Sequence, residues 1–152
     1  DESSLPTEFA GSRRLLSTEL EERRLRLGFP PGPAELTGNT NPFELGLAQC
    51  ISLDKGCYLG QETMAKLAGR GGIKQQLRCW VSSNRLNSGD PLFVGETRAG
   101  VVTSILELES DSLIGLALIR RQYLTSGALN GPNGQVVTLD RPELFQDPPS
   151  PD

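Results

Sequence analysis

Histidine is absent from the 152-residue sequence. A Ser-His or Cys-His triad, a histidine-ligated zinc ion and an imidazole general base are therefore excluded for this chain. Long apolar runs are absent too, because none approaches the ~20 residues that a membrane-spanning helix needs, and the N-terminus has no signal-peptide core. We therefore expect neither a membrane protein nor a secreted one. A transit peptide removed by cleavage would leave no trace.

Cysteine is scarce, with only Cys50, Cys57 and Cys79. Their number is odd and no C-x-x-C spacing occurs, so the sequence predicts neither a disulfide framework nor a closed zinc site. Reduced thiols in a cytosol, stroma or matrix are the simplest interpretation. Cys50 and Cys79 lie in apolar or β-prone runs, and we expect both in the core.

Positive charge is unevenly spread in a chain whose net charge is −4. Five cations and one anion fall between Lys55 and Arg78, so this segment carries +4 and the rest of the chain −8. A run of charge usually marks a solvated surface. The alternative is a local anion-binding site, which would select one polyanionic ligand and disfavour nucleic acid in general.

The first half predicts two helices. Thr18 and Glu21 have capping-box spacing, so the first helix should begin near Thr18, and Gly28 before two prolines should end it. A second helix is expected in the run QETMAKLA after Gly60, ending at Gly69.

Between these helices, the Pro, Gly and Asn content predicts a loop over 30–46, and the apolar run LAQCISL after it is interpreted as a short buried strand. Gly71-Gly72 then predicts a hinge or domain boundary.

From Leu77 onward the sequence is β-prone. Runs rich in Val, Ile, Leu and Thr are separated by turns such as NSGD and NGPNGQ, the spacing of a small antiparallel barrel or sandwich. We predict a barrel from about Leu77 to Leu139. The strand candidates are LRCWVSS, PLFV, RAGVVTSILEL, SLIGLALI and GQVVTLD.

The stretch KGCYLGQE, Lys55 to Glu62, sets Cys57 in a polar bend. A thiol gains reactivity where cations or a helix N-terminus stabilise its thiolate, and Lys55 lies two residues away. Gly56 and Gly60 permit a bend that side chains would obstruct. The alternative is that Cys57 is a small buried residue and the glycines only make a turn.

KGCYLGQE also resembles the K-G-C-Y/F-x-G-Q-E signature of the YgfZ family of folate-binding proteins, relatives of the glycine-cleavage aminomethyltransferase (T-protein). The resemblance extends over about 13–140. Its other matching stretches are RLRLG at 24–28, PPGPAEL at 30–36, NPFELGL at 41–47, AGVVTS at 99–104 and IGLALIR at 114–120.

Two residues depart from the family pattern. Lys66 stands where the family has an arginine, which keeps the charge but loses the guanidinium fork. Arg26 replaces the acidic residue of the R-I-E-A-G element. Family members also carry a substantial folate-binding region upstream, so we expect this chain to be part of a longer protein.

The resemblance implies two groups of site residues. The catalytic group is Cys57 as the signature thiol, with Lys55 and Glu62. The cofactor-binding group is Arg24, Tyr58, Gln61 and Lys66, with no metal ligand in either group. Alternatives are a solvated helix cation for Arg24, a core residue for Tyr58 and a helix-start carboxylate for Glu62.

The implied function is a folate-dependent accessory factor for iron–sulfur cluster assembly or repair, with an effect on tRNA modification. The cofactor would be tetrahydrofolate, and the partners iron–sulfur assembly or client proteins, with no general nucleic-acid or membrane binding. The alternatives are a tetrahydrofolate-dependent aminomethyltransferase and a non-catalytic β-barrel interaction module that docks an acidic partner. The location would be a bacterial cytoplasm, a plastid stroma or a mitochondrial matrix.

The expected fold is α+β, the end of a folate-binding domain followed by a small antiparallel β-barrel. The domains would be a polar lead-in at 1–12, the C-terminal part of the folate-binding domain at 13–72, the barrel at 73–140 and an acidic, Pro-rich, disordered tail at 141–152.

Overall fold

The computed structural model describes residues 11–30, 32–69 and 73–149, so the hinge at Gly71-Gly72 and most of the polar lead-in lie outside the described residues. Two helices accompany a closed six-stranded antiparallel barrel that dominates this small domain. In the described part of the chain, no helix is both long and apolar enough to cross a bilayer. The elements are α1 (Ser17–Leu27), α2 (Gln61–Gly69), β1 (Gln75–Ser82), β2 (Pro91–Val94), β3 (Thr97–Glu107), β4 (Leu113–Arg120), β5 (Ala128–Asn130) and β6 (Val136–Asp140).

The barrel follows the strand order β1-β4-β3-β2-β5-β6, and β1 closes the ring by pairing with both β4 and β6. The predicted antiparallel barrel is therefore confirmed. All five predicted strand runs form strands, but β5 was missed. It has three residues and lies among turn residues, where no alternating pattern can develop.

Strand β4 is buried on both faces, which explains why its sequence is almost continuously apolar. Leu113, Ala117 and Ile119 belong to the core inside the barrel. Ile114 and Leu116 alternate with them and belong to a second cluster outside the barrel, which includes Leu25 of α1. Helix α1 thus covers the outer face of β3 and β4.

Helix α1 begins at Ser17, and the Glu19 carboxylate accepts a hydrogen bond from the Leu16 N–H at 2.8 Å. The predicted Thr18/Glu21 capping box is wrong, because Glu21 pairs with Arg24 instead. The predicted stop at Gly28 is confirmed.

Gly28 ends the helix because it adopts a left-handed conformation, with φ at 70°. Its N–H donates to Leu25, and the next N–H, from Phe29, donates to the carbonyl of Arg24. This pair of bonds is a Schellman motif.

The segment between α1 and α2 forms turns rather than a strand. The loop prediction for 30–46 is confirmed for its described residues, whereas LAQCISL contains a 3-10 turn at Ala48–Cys50. Its apolar residues Ile51 and Leu53 pack instead in a small cluster around Phe43. Cys50 is exposed, so its predicted core position is wrong.

The tail packs onto the domain as far as it is described. Phe145 is only 7% exposed and belongs to the cluster outside the barrel. Leu144 and Gln146 donate backbone hydrogen bonds to the carbonyls of Leu27 and Gly46. Disorder was therefore the wrong prediction for 141–149, and residues 150–152 lie outside the described part.

Candidate functional site

The signature residues form a bend fastened to the start of α2. The side-chain amide of Gln61 donates hydrogen bonds to the carbonyls of Leu53 and Lys55, at 2.9 and 3.0 Å. The Lys55 N–H donates to the Ser52 hydroxyl at 3.2 Å. Because one amide group holds two successive parts of the bend, helix and bend form a single unit. The role of Gln61 toward a cofactor stays a prediction.

The two glycines of the bend have different reasons to be there. Gly60 has φ of +88°, a left-handed conformation that side chains rarely adopt, so glycine is required at that position. Gly56 does not have positive φ, and a Cβ added to it would meet nothing within 4 Å. The prediction that a side chain would obstruct the bend holds for Gly60 and is wrong for Gly56.

Cys57 presents a free thiol to solvent. The alternative interpretation of Cys57 as a small buried residue is therefore wrong. The ammonium of Lys55 lies over the ring of Tyr58, 4.9 Å from its centroid, which is within the range of a cation–π contact. The signature cation and ring thus flank the thiol in sequence and contact each other.

Tyr58 combines a half-exposed ring with a buried polar end. Its hydroxyl has no hydrogen-bond partner among the described residues, although the oxygen is buried. Buried polar atoms without partners are uncommon and costly. Among the described residues of the bend, the Tyr58 hydroxyl is the one buried side-chain polar atom that lacks a hydrogen-bond partner.

Glu62 and Lys66 form an ion pair on the surface of α2. The Lys66 ammonium lies 2.6 Å from the carboxylate, and the two side chains are 59% and 81% exposed. Exposed pairs of this kind contribute roughly 0–1 kcal/mol. Glu62 also lies in the first turn of α2, as the helix-start alternative anticipated, and its catalytic role stays a prediction.

Arg24 lies apart from the bend, on α1. Its guanidinium binds Glu21 with two hydrogen bonds, of 2.7 and 2.6 Å, and also donates to the Phe29 carbonyl and the Ser104 hydroxyl. The Glu21 hydrogen bond raises the pKa of Arg24 and lowers that of Glu21. Within the described residues, no hydrogen bond or ion pair links Arg24 to the signature bend.

A buried carboxylate beside Arg24 was not foreseen. Glu35 is 0% exposed, and its Oε1 accepts a hydrogen bond of 2.5 Å from Ser104, while Oε2 has no partner among the described residues. Ser104 therefore connects Glu35 to Arg24. The only sequence signal was a glutamate inside an otherwise Pro- and Gly-rich loop, because its partner lies 69 positions away.

Cys79 has a different environment from the other thiols. It is half-buried, and its S–H donates to the Leu25 carbonyl at 3.1 Å. Burial is the main cause that raises its pKa from 9.0 to about 12. The thiol therefore stays protonated at neutral pH. Its predicted packing role is in keeping with this position.

The acidic and thiol side chains are dispersed. Over the ranges 11–30, 32–69 and 73–149, no three Cys, Asp or Glu side chains come together in a group that could hold a metal ion. Of the two exposed thiols, Cys50 and Cys57, only Cys57 belongs to the signature bend, so the site is described from Cys57 and the groups around it.

No protein-family model matches the chain. The chain is 37% identical over 112 residues to a chloroplastic protein of Arabidopsis thaliana that is named as a candidate transferase. The match covers 73% of this chain but only 26% of that protein, so the chain spans about a quarter of the length of its relative. This similarity and the small β-barrel are compatible with a folate-binding, transferase-like family.

Proposed function

We propose that the chain is part of a folate-dependent accessory factor of the YgfZ type, which supports iron–sulfur cluster assembly or repair. Cys57 is the group that reacts with or recognises its target. The observation that carries this proposal is the exposed thiol of Cys57 on a bend fastened to α2 by Gln61.

The contrast between Cys57 and Cys79 supports this role. A thiol that serves packing is shielded, as Cys79 is against Leu25. Cys57 is exposed, although an exposed free thiol is prone to oxidation. The shape of the bend is also fixed by the left-handed conformation of Gly60 and by the two hydrogen bonds that the Gln61 amide donates. Such fixed backbone is what a site needs to present a reactive group in one orientation.

Tetrahydrofolate is proposed as the cofactor of the longer protein, where it would carry one-carbon units. The residues in this chain do not by themselves fit it. Every donor nitrogen of Arg24 is committed to Glu21, Phe29 or Ser104, and Lys66 is paired with Glu62. Contact between Arg24 and a folate carboxylate requires rearrangement of these bonds. We therefore derive no step through the cofactor.

Substitution of the thiol tests the role of Cys57. In a strain that lacks the full-length relative, complementation by the full-length protein should be lost in Cys57→Ala. Cys50→Ala is the matched control, because Cys50 is also an exposed free thiol but lies outside the signature. It should complement as well as the parent protein. Equal complementation by both variants would contradict a role for Cys57.

A second candidate is a tetrahydrofolate-dependent aminomethyltransferase, favoured by the transferase name of the chloroplastic relative. Formation of methylene-tetrahydrofolate from an aminomethyl-lipoyl carrier by the intact protein would establish it and replace the accessory role. The name of that relative also makes the plastid stroma the compartment that we propose. Fractionation of a tagged full-length protein would test this location.

The third candidate is a barrel that docks an acidic partner through Lys66, Arg70 and Lys74. The structure weakens the case for one of these residues. Lys66 is already paired with Glu62. Arg70 lies outside the described residues.

A further inference from the structure

An open cleft of about 780 Å³ lies where the β1–β4 ladder ends, and its described lining includes no residue of the signature bend. Such a volume falls within the usual range of small-molecule sites. Its cationic residues lie at the start of β1 and the end of β4. Lys74 directly precedes β1, Arg120 is the last residue of β4 and Arg121 follows it. The described lining also includes Asn39, Glu44, Gln75 and Gln122.

Strand pairing forces these cations together. Gln75 lies opposite Arg120 in the ladder, and the Arg121 N–H donates to the Lys74 carbonyl at 2.9 Å, which extends the pairing by one step. Lys74 therefore faces Arg121 across the ladder, with Arg120 adjacent. Like charges at facing positions of a sheet destabilise it. A bound anion would relieve that repulsion.

Two of the three cations have no counterion among the residues that the structure describes. Within the described residues, the side chains of Lys74 and Arg120 make no hydrogen bond or ion pair. Glu44, the one carboxylate among the described lining residues, is 5% exposed and accepts from the Asn41 N–H and, at 3.5 Å, from the amide of Gln75. The described lining therefore holds three cations and one carboxylate, in a chain whose net charge is −4.

We propose that this cleft binds a small multivalent anion, a phosphorylated or polycarboxylate molecule, through Lys74 and Arg120. Ammonium and guanidinium groups form strong, charge-assisted hydrogen bonds with both classes. The side-chain amides of Gln75 and Gln122 supply neutral donors for the rest of the ligand. This site is independent of Cys57 and of the proposed function.

Calorimetric titration with pyrophosphate and with citrate, each at matched ionic strength, tests the proposal. Both anions are to be compared in the parent chain, in Lys74→Gln/Arg120→Gln and in the control Arg85→Gln/Arg98→Gln. The control removes the same charge from exposed positions outside the cleft. The cleft variant should lose affinity by about tenfold or more, since two charge-assisted contacts are lost. The control should change less than about twofold.

Thermal unfolding gives a second readout. Without added anion, the cleft variant should unfold at or above the temperature of the parent chain, because like-charge repulsion is removed. The better-bound anion should raise the unfolding temperature of the parent and control but not of the cleft variant. A preference for pyrophosphate would assign a phosphorylated ligand, and a preference for citrate a polycarboxylate.

Three outcomes would overturn the proposal. One is the absence of binding beyond that of chloride at the same ionic strength. Another is equal loss of affinity in both double variants, which would mean that only overall charge matters. The third is binding of an acidic polypeptide or an oligonucleotide with no binding of either small anion, which would make the cleft a docking surface.

Discussion

At the scale of single residues, the three thiols differ in surroundings although their chemistry is the same. Cys50 and Cys57 are exposed, whereas Cys79 is half-buried and bonded to the Leu25 carbonyl. Burial raises the pKa of Cys79 to about 12, so the folded state holds that proton more tightly than the unfolded chain, where the pKa is near 9.0. The resulting stabilisation is complete below pH 9 and is lost as the pH rises from 9 to 12.

This difference predicts both reactivity and pH dependence. At pH 8, iodoacetamide should alkylate Cys79 at least about a hundredfold more slowly than Cys57, because so little Cys79 is thiolate. Peptide mass spectrometry would measure both rates.

In urea unfolding at pH 8 and pH 10.5, Cys79→Ala should lose less stability between the two pH values than the parent chain does. Cys57→Ala should lose as much stability as the parent chain. If Cys79→Ala also loses as much as the parent between pH 8 and pH 10.5, the raised pKa of Cys79 does not contribute to the pH dependence of stability.

The sequence left two settings open for Cys57, reactive or buried, and predicted the wrong one for Cys50. Around Cys57, the lysine and glycine neighbours favoured the polar bend that the structure shows. Around Cys50, the neighbours Ile51 and Leu53 are apolar, yet they pack in the cluster around Phe43 while Cys50 points away. Which side of a 3-10 turn is covered depends on a distant partner, and a short apolar run does not encode it.

At the scale of elements, β4 is the most constrained strand because both of its faces are covered. Gly115 lies where β4 closely approaches both the β3 backbone and the Trp80 ring. A Cβ added there would be 1.9 Å from the Ser104 carbonyl oxygen and 2.7 Å from the ring of Trp80. The Trp80 indole also donates to the Leu116 carbonyl at 3.0 Å, so the ring cannot shift without losing that bond.

Gly115→Ala should therefore lower the free energy of unfolding by about 3 kcal/mol or more, since neither backbone nor indole can yield. Gly56→Ala is the matched control, because its Cβ meets no atom within 4 Å, and should change stability by less than about 0.5 kcal/mol. Urea unfolding followed by circular dichroism would measure both. Equal stability of the two variants would show that β4 is less tightly packed than described.

Long strands and helices were predictable because each carries its own periodic pattern. The double burial of β4 was visible as the near-continuous run LIGLALI. The three-residue β5 was not predictable, since its pairing with β6 is set by the turn at 131–135 and by closure of the ring. The start of α1 shifted because Glu19, rather than Glu21, reaches back to the helix N-terminus.

At the scale of the whole molecule, the tail joins α1, the loop before α2 and the barrel. The Phe145 ring has the guanidinium of Arg78 at 5.1 Å and that of Arg141 at 5.0 Å from its centroid. Two glycines make room for the tail, since a Cβ on Gly46 would collide with Phe145 and one on Gly28 with Pro142. The tail is therefore a structural part of the domain.

Phe145→Ala should lower the free energy of unfolding by about 3 kcal/mol or more, because it removes a buried ring from the place where the tail joins α1, the loop before α2 and the barrel. Leu144→Ala, at a neighbouring side chain that is 46% exposed, should cost less than about 1 kcal/mol. Thermal and urea unfolding would compare them. If Phe145→Ala unfolds like the parent, the tail does not contribute to stability.

The contacts between distant segments escaped sequence analysis for one reason. Glu35, Glu44 and Arg78 are charged, so the sequence favoured solvent exposure, yet all three are buried. Their burial depends on partners such as Ser104 and Phe145, which lie dozens of residues away. Only the folded chain brings those partners within reach. The Arg24–Ser104–Glu35 connection was unforeseen for this reason, whereas the local signature bend was foreseen.

Closure of the barrel depends unevenly on its joints. β1 and β4 pair along eight positions, whereas β2 meets β5 only at Phe93 and Asn130. That joint is the seam of the cylinder. We expect thermal fluctuations to separate β2 from β5 before other strand pairs of the barrel. Among the amides of the barrel strands, those beside Phe93 should therefore exchange their hydrogens with solvent fastest. Separation of the two strands would expose the edges of both β2 and β5, where a strand from another molecule could pair.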